Sequence, residues 1–204
     1  MFKSRKHIDD ERQLAELIVE LKRGSSEAFH VLYNKYQSRV YRFCLKMLAD
    51  EAKAKDAFQE TFIRVYENRK TFRGENFSSW LFTIARHTCL NHIRAKKDHE
   101  EYNEVFHSDA KFKNRDVALK EQIDKAISSL PVSLREALVL REYEECSYKE
   151  ISEILGIELS LAKVRVHRAR LLLRKLLKPI VKEINESWKF NIEVFRWWAI
   201  NFRR

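Results

Sequence analysis

The stretch from Cys146 to Leu177 constrains this chain most, because it carries the signals of two helices joined by a tight turn. Ser147 and Glu150 have the spacing of a capping box, which predicts a helix start. Gly156 predicts the end of that helix, since glycine takes the left-handed conformation cheaply. Ser160 is a second candidate N-cap, before a longer helix running to about residue 177. This is the helix-turn-helix pattern, whose second helix enters the major groove of DNA.

The second of these helices is positively charged along its length. Between Leu159 and Lys182 there is no Asp or Glu, whereas Lys and Arg recur throughout. An uncompensated basic helix suits a phosphate-lined groove, although a solvated basic face on an ordinary helical hairpin is the alternative. The whole chain has 40 Lys and Arg against 30 Asp and Glu, a net charge of +10. That balance favours nucleic acid over an anionic membrane.

Composition predicts an all-α fold. Only three glycines and two prolines occur in 204 residues, which favours long helices, and no convincing strand pair or glycine-rich phosphate loop is present. The three scattered cysteines lack zinc-site spacing, so we expect buried free thiols in a reducing cytoplasm, with no metal and no cofactor. The N-terminus has no apolar signal core, and no apolar run predicts a transmembrane segment.

Apolar periodicity divides the chain into two small helical domains. The first covers residues 10–97 and the second covers residues 117–179. Between them, residues 98–116 carry six acids against three bases without a sustained period, which predicts a flexible acidic linker. Residues 180–204 hold three of the four tryptophans and predict an amphipathic C-terminal helix.

Serine and aspartate mark the helix starts of the first domain. Ser25 or Ser26, then Asp50, then Ser78 or Ser79 are the candidate N-caps. The residues expected to face inward on the middle helix are Phe58, Phe62, Val65 and Tyr66. The last helix carries aromatic residues beside basic ones, as in sites where bases stack on rings and cations meet phosphates. Taken alone, this helix favours the alternative, in which the aromatic residues fill a helical core.

Two motifs resemble domains of sigma-70-type initiation factors. LPVSLREALVLREYEECSYKEISEILGIELSLAKVRVHRARLLLRKLL resembles their domain 4, and FQETFIRVYENRKTFRGENFSSWLFTIARHTCLNHIR resembles their domain 2. Two such domains joined by a linker are similar to the extracytoplasmic-function (ECF) group of bacterial sigma factors, over about residues 10–180. The resemblance implies a transcription initiation factor that binds core RNA polymerase, recognises the −10 and −35 promoter elements and aids promoter melting. It implies no catalytic residue and no small-molecule substrate, with an anti-sigma factor as a further partner.

The same resemblance implies three sets of contact residues. Those expected on core polymerase are Asp56, Gln59, Glu60 and Arg64. Those expected at the −10 element and in melting are Phe77, Ser78, Trp80, Arg86, His87, Asn91 and Arg94. Those expected at the −35 element are Lys163, Arg165, His167 and Arg168.

Several positions depart from the family pattern. His87 stands where the family commonly has Asn, and Asn91 where it has Asp. At Leu161, Ala162 and Val164 the family usually has Thr, Val and Ser. Leu161 thus removes a hydroxyl near the helix start, and Val164 removes a polar group that faces the bases. The fold carries over from the resemblance, but the promoter sequence does not.

Two other functions of the chain stay open, as do three roles for residues 180–204. A stand-alone helix-turn-helix regulator would have no use for the polymerase-docking face at Asp56, Gln59 and Glu60. A small hydrolase or transferase would need a nucleophile and a base close together, but the seven histidines are scattered. The tail from Ile180 to Arg204 could fold back on the second domain, bind a partner or lie on a membrane; folding back is the role we expect.

Overall fold

The computed structural model describes residues 5–73, 76–100 and 115–187, which form α-helices and one 3-10 turn without a strand in these ranges. The helices are α1 (Arg5–Arg23), α2 (Ser26–Leu48), α3 (Glu51–Glu67), α4 (Phe77–Glu100), α5 (Arg115–Ser128), α6 (Val132–Glu142), α7 (Tyr148–Leu155) and α8 (Leu159–Ser187). The 3-10 turn Arg69–Thr71 follows α3. The all-α prediction is confirmed.

Helices α2, α3 and α4 pack around the core of the N-terminal unit, α1–α4. Two of the predicted caps begin them. The hydroxyl of Ser25 accepts a hydrogen bond from the Ala28 amide, and the carboxylate of Asp50 accepts one from the Lys53 amide. In the core between α2 and α4, the rings of Phe43 and Phe82 meet edge to face with centroids 5.5 Å apart.

The helix-turn-helix lies in the C-terminal unit, α5–α8, and is confirmed. The Ser147 hydroxyl accepts from the Glu150 amide at 3.2 Å, and the Glu150 carboxylate accepts from the Ser147 amide at 2.8 Å. Gly156 ends α7 with a φ of 63°, the left-handed conformation that the sequence predicted. Ile151 and Ile154 are buried and hold α7 in the core of this unit.

Two predicted helix starts are wrong. Asn76, rather than Ser78 or Ser79, caps α4, because its carboxamide oxygen accepts from the Ser79 amide at 3.0 Å. Ser160 lies inside the first turn of α8, which begins one residue earlier, at Leu159. At α4 the side chain of Asn76 supplies the cap in place of a serine, whereas Ser160 follows the first residue of α8 and so cannot precede it as a cap.

The longest helices extend beyond their predicted ends. α8 continues past Pro179 to Ser187, although the sequence predicted an end near residue 177. α4 reaches Glu100 and α5 begins at Arg115, so both ends of the predicted linker are helical. Residues 101–114 and 188–204 lie outside the described residues, and with them most of the predicted linker and tail.

The two units pack directly on each other. Helices α2 and α4 contact α5, α6 and α7. At one edge the Arg135 guanidinium donates to the backbone oxygen of Met47 at 2.6 Å, and Lys46 pairs with Asp124. The buried residues of both units form one continuous hydrophobic cluster. The sequence did not predict this contact, which brings α4 and α8 close together.

The three cysteines agree with a further expectation from the sequence. Cys44, Cys89 and Cys146 are all free and buried, as predicted. No helix in the described ranges is both long and apolar enough to span a bilayer.

Candidate nucleic-acid interface

The recognition helix α8 presents basic residues on the side opposite its core contacts. Ala162, Val166 and Ala169 are fully buried against the rest of the C-terminal unit. The predicted −35 residues that point away from this core are Lys163, His167 and Arg168, all exposed. No acidic residue follows in the helix as far as Lys182, so this face can approach DNA phosphates without repulsion from its own helix.

The fourth predicted −35 residue is engaged inside the protein. Arg165 donates to the carboxylate of Glu136 at 3.2 Å, and only 3% of the Glu136 side chain is exposed. The other oxygen of this carboxylate accepts from Arg86 of α4 at 2.7 Å. One buried carboxylate therefore joins a predicted −35 residue to a predicted −10 residue. A buried carboxylate needs partners of opposite charge, because the free-energy cost of removing it from water is otherwise not offset.

Three predicted −10 residues share an exposed face of α4. His87, Asn91 and Arg94 follow one another at steps of four and three, so they form one stripe along the helix, and all three are exposed. Partial burial lowers the pKa of His87, and the nearby cations Arg86 and Arg94 lower it further. His87 is therefore predominantly neutral at pH 7, when it can both donate and accept a hydrogen bond.

Two residues predicted to act in melting, Phe77 and Trp80, form an aromatic cluster with Phe72 near the start of α4. Phe72, Phe77 and Trp80 have ring centroids 5.3–5.8 Å apart. Phe77 is only 2% exposed and also contacts Tyr36, so it supports the cluster from within. Trp80 is half-buried at its edge. Within this cluster Trp80 is the predicted residue that can meet a base, whereas Phe77 is covered in this arrangement.

Some of the predicted polymerase-docking residues are exposed, and others are bonded inside the protein. Asp56 and Gln59 are exposed on α3. Glu60 is engaged instead: its carboxylate accepts from Arg64 at 2.6 Å and contacts His92 of α4 at 3.1 Å. Glu60 therefore connects α3 to α4 through His92, whereas Arg64 pairs with Glu60 within α3. The free part of the docking face is Asp56 with Gln59.

An apolar groove beside Gln59 was missed by the sequence analysis. It has a volume of about 520 Å³ and lies between α2 and α3. Its lining residues are Phe29, Tyr33, Phe58, Gln59, Phe62, Ile63, Tyr66 and Glu67. Ile63 is 58% exposed, and Tyr66, which the sequence analysis placed inward, is 36% exposed. The signal was available, since Ile63 follows Gln59 by four residues and so lies on the same exposed face.

A second buried carboxylate fastens the two units together. Glu144 precedes the helix-turn-helix, and its side chain is fully buried. Arg39 and Arg42, both on α2, donate to it at 3.0 and 3.1 Å. Burial raises the pKa of the Glu144 carboxyl, an effect that the two guanidinium groups oppose. Asn76 adds a neutral contact, donating to Glu150 at 2.8 Å.

Comparison with protein families matches Sigma-70 region 2 at residues 32–99 and Sigma-70 region 4 at residues 120–173. The RNA polymerase sigma-H factor of Pseudomonas aeruginosa is 32% identical over 189 residues, which cover 85% of this chain and 98% of that protein. The ECF RNA polymerase sigma factor SigW of Bacillus subtilis is 32% identical over 186 residues, covering 83% and 100%. The chain belongs to the ECF group of the sigma-70 family. The resemblance read from the two motifs is confirmed.

A solved sigma-factor structure agrees with this assignment, and a second solved structure shares the fold. The sigma factor RpoE of Bartonella quintana, in complex with the anti-sigma factor NepR, aligns with a TM-score of 0.63 and 27% identity, covering 74% of this chain and 96% of that one. CnrH in complex with the cytosolic domain of CnrY aligns with a TM-score of 0.64 at 21% identity, a likeness of fold, covering 80% and 96%.

The family matches contain every predicted contact residue of this sigma factor. The region 2 match covers the docking face of α3 and α4 as far as residue 99, and the region 4 match covers α7 and the first half of α8, to residue 173. The role of each individual residue stays a prediction. Within the described parts of the chain, no group of three or more His, Cys, Asp or Glu side chains is arranged to hold a metal ion.

Proposed function

We propose that this sigma factor acts in the cytoplasm as a promoter-specificity subunit of RNA polymerase. Helix α8 contacts the −35 element, α4 contacts the −10 element and supports melting, and α3 docks on core polymerase. The observation that carries this proposal is the presence of two separate exposed polar and basic faces, on α4 and α8, in one chain. A stand-alone regulator needs only the second of them.

The two DNA faces serve different steps. Lys163, His167 and Arg168 lie in the first turns of a helix-turn-helix recognition helix, the part that meets base edges in the major groove. On α4, Asn91 and Arg94 are exposed and can meet bases and phosphates of an opening duplex. Extruding a base costs a few kcal/mol. Trp80, half-buried near the start of the same helix, offers an aromatic ring on which a base can stack, which would offset part of that cost.

Promoter binding requires the two units to separate. The names of the −10 and −35 elements place their centres about 25 base pairs apart, which is about 85 Å along B-form DNA. In the described arrangement Arg86 and Arg165 reach the same carboxylate, so α4 and α8 lie far too close to span that distance. The described arrangement is therefore a closed form, and binding to polymerase and promoter opens it. Release of Arg86 from Glu136 accompanies the opening, because this pair crosses between the units.

Core polymerase binds the exposed side of α3 in this proposal. Asp56 and Gln59 supply polar contacts, and the apolar groove beside Gln59 supplies buried area. An interface with an apolar centre and a polar rim is the common arrangement between proteins. An anti-sigma protein is a further proposed partner, supported by the structure of the 27% identical RpoE with its anti-sigma factor NepR.

The direct test is transcription in vitro from promoters selected by the holoenzyme. We expect initiation with core polymerase plus this chain and none with either alone. Asp56→Lys should weaken core binding, because it reverses the charge of an exposed docking residue that forms no internal ion pair among the described residues. Glu153→Lys, the same reversal at an exposed residue of α7 that forms no ion pair among the described residues, is the control. If the chain binds a promoter specifically by itself, and core polymerase does not change that binding, a stand-alone regulator is supported instead.

A further inference from the structure

Val164 lies at the centre of the outward face of the recognition helix. Successive residues of an α-helix are about 100° apart, so Val164 points away from the buried Ala162, Val166 and Ala169. Its neighbours three and four residues away occupy the same face. These neighbours are Ser160, Leu161, His167 and Arg168.

This centre is apolar, although its surroundings are polar. Val164 and Leu161 are each 40% exposed, whereas Lys163, His167 and Arg168 beside them are polar. Single exposed apolar residues are ordinary on protein surfaces. These two differ by position, because they lie in the first two turns of α8, the part of a recognition helix that meets base edges.

An aliphatic side chain can satisfy only one feature of the major groove. The base edges there present hydrogen-bond donors and acceptors, together with the 5-methyl group of thymine. Placed over a donor or an acceptor, the isopropyl group of Val164 would remove water without replacing its hydrogen bond, which is unfavourable. Placed over a thymine methyl, it buries apolar surface on both sides.

We propose that Val164, with Leu161 beside it, is a specificity-determining residue that selects thymine at the −35 element through its 5-methyl group. This inference rests on the proposed function and adds the base that the outward face prefers. The polar neighbours supply complementary contacts: Arg168 can donate to a guanine edge or to a phosphate, and Lys163 to a phosphate. A thymine methyl contact beside such a polar contact would fix both the orientation of α8 in the major groove and the base pairs that it meets.

Deoxyuridine tests this directly, because it differs from thymine only by the methyl group. Holoenzyme first selects its −35 element from randomised duplexes, and each thymine is then replaced in turn by deoxyuridine. We expect one or two of these replacements to weaken holoenzyme binding about fourfold, the effect of withdrawing one buried methyl group. In Val164→Ala the same replacements should have little effect. Leu171→Ala is the matched control, since Leu171 is 47% exposed on the same face two turns further along, beyond the base-reading turns.

The outcomes separate this inference from the proposed function. If the holoenzyme selects no −35 element, the proposed function itself fails. If it selects one that lacks thymine, or if deoxyuridine is tolerated at every thymine, Val164 does not read a methyl group. If the sensitivity to deoxyuridine survives Val164→Ala but not Leu161→Ala, the reader is Leu161 and the role given to Val164 is wrong. The Val164→Ala and Leu161→Ala variants should melt at the same temperature as wild type, because both side chains lie on the surface.

Discussion

Arg86 of α4 and Arg165 of α8 donate to the two oxygens of one carboxylate, that of Glu136. The Arg165 pair lies within the C-terminal unit, whereas the Arg86 pair crosses between the units. Both arginines are predicted to contact DNA, whose phosphates are the natural competitors for a guanidinium. In the proposed closed form, the Glu136 carboxylate thus holds Arg86, which a promoter phosphate or base would bind after opening.

Arg86→Gln should loosen the closed form. It removes a hydrogen-bonded charge pair between the units, worth about 1.5 kcal/mol or roughly a tenfold shift in the open population. Glu136 keeps Arg165, so the C-terminal unit should stay folded. Energy transfer between dyes on His30→Cys and Lys149→Cys, two exposed positions in different units, reports the separation.

Glu142→Gln is the control for that experiment. Glu142 pairs with Arg170 at 2.5 Å inside the C-terminal unit and is largely buried, so its removal should lower stability without changing the dye separation. Equal transfer efficiency in wild type and Arg86→Gln would mean that the Arg86–Glu136 pair does not hold the units together.

Asn76→Ala should destabilise the N-terminal unit more than Ser78→Ala does. The Asn76 side chain caps α4 and also donates to Glu150 across the contact between units. Loss of a cap costs about 1 kcal/mol, and the second hydrogen bond adds to it. Ser78 caps nothing, so its removal should stay within about 0.5 kcal/mol. Urea denaturation followed by circular dichroism measures both; a larger loss in Ser78→Ala would contradict the assignment of the cap.

The sequence predicted the parts of this fold that depend on local signals. Ser147, Glu150 and Gly156 define the helix-turn-helix through contacts no more than a few residues apart. The contact between the units was beyond such reasoning, because Glu144 meets Arg39 and Arg42 across more than 100 residues. In sequence these residues look like ordinary solvated charges. Only the meeting of α2 with the segment after α6 buries the carboxylate and makes the arginines its partners.

The candidate site shows the same division. The resemblance named His87, Asn91 and Arg94, and their spacing of four and three residues places all three on one exposed face of α4. It could not distinguish Phe77 from Trp80, since both stand at the start of the helix and only packing against Tyr36 and Phe72 buries the first. Likewise Glu60 and Asp56 look equivalent in sequence, but only Glu60 lies within reach of His92.

His87 should titrate below its ordinary value. Burial and two neighbouring arginines lower its pKa from 6.5, so the folded protein holds the proton less tightly than the unfolded chain. Its contribution to stability is therefore present above pH 6.5 and is lost as the pH falls through the lowered pKa. The imidazole resonances in an NMR titration give the pKa. Arg94→Gln should raise it toward 6.5, whereas Arg12→Gln, a change on a distant part of α1, should leave it unchanged.

Ile63→Ser should weaken binding to core polymerase about tenfold, because it removes the most exposed apolar side chain of the groove beside Gln59. Folding should be unaffected, since 58% of Ile63 is already exposed. Val31→Ser is the matched control: Val31 is 46% exposed on α2 but does not line the groove. Fluorescence anisotropy of the labelled chain, titrated with core polymerase, measures both affinities. Binding of the Ile63 variant as tight as that of the Val31 variant would exclude the groove from the interface. Docking would then depend on the polar residues Asp56 and Gln59.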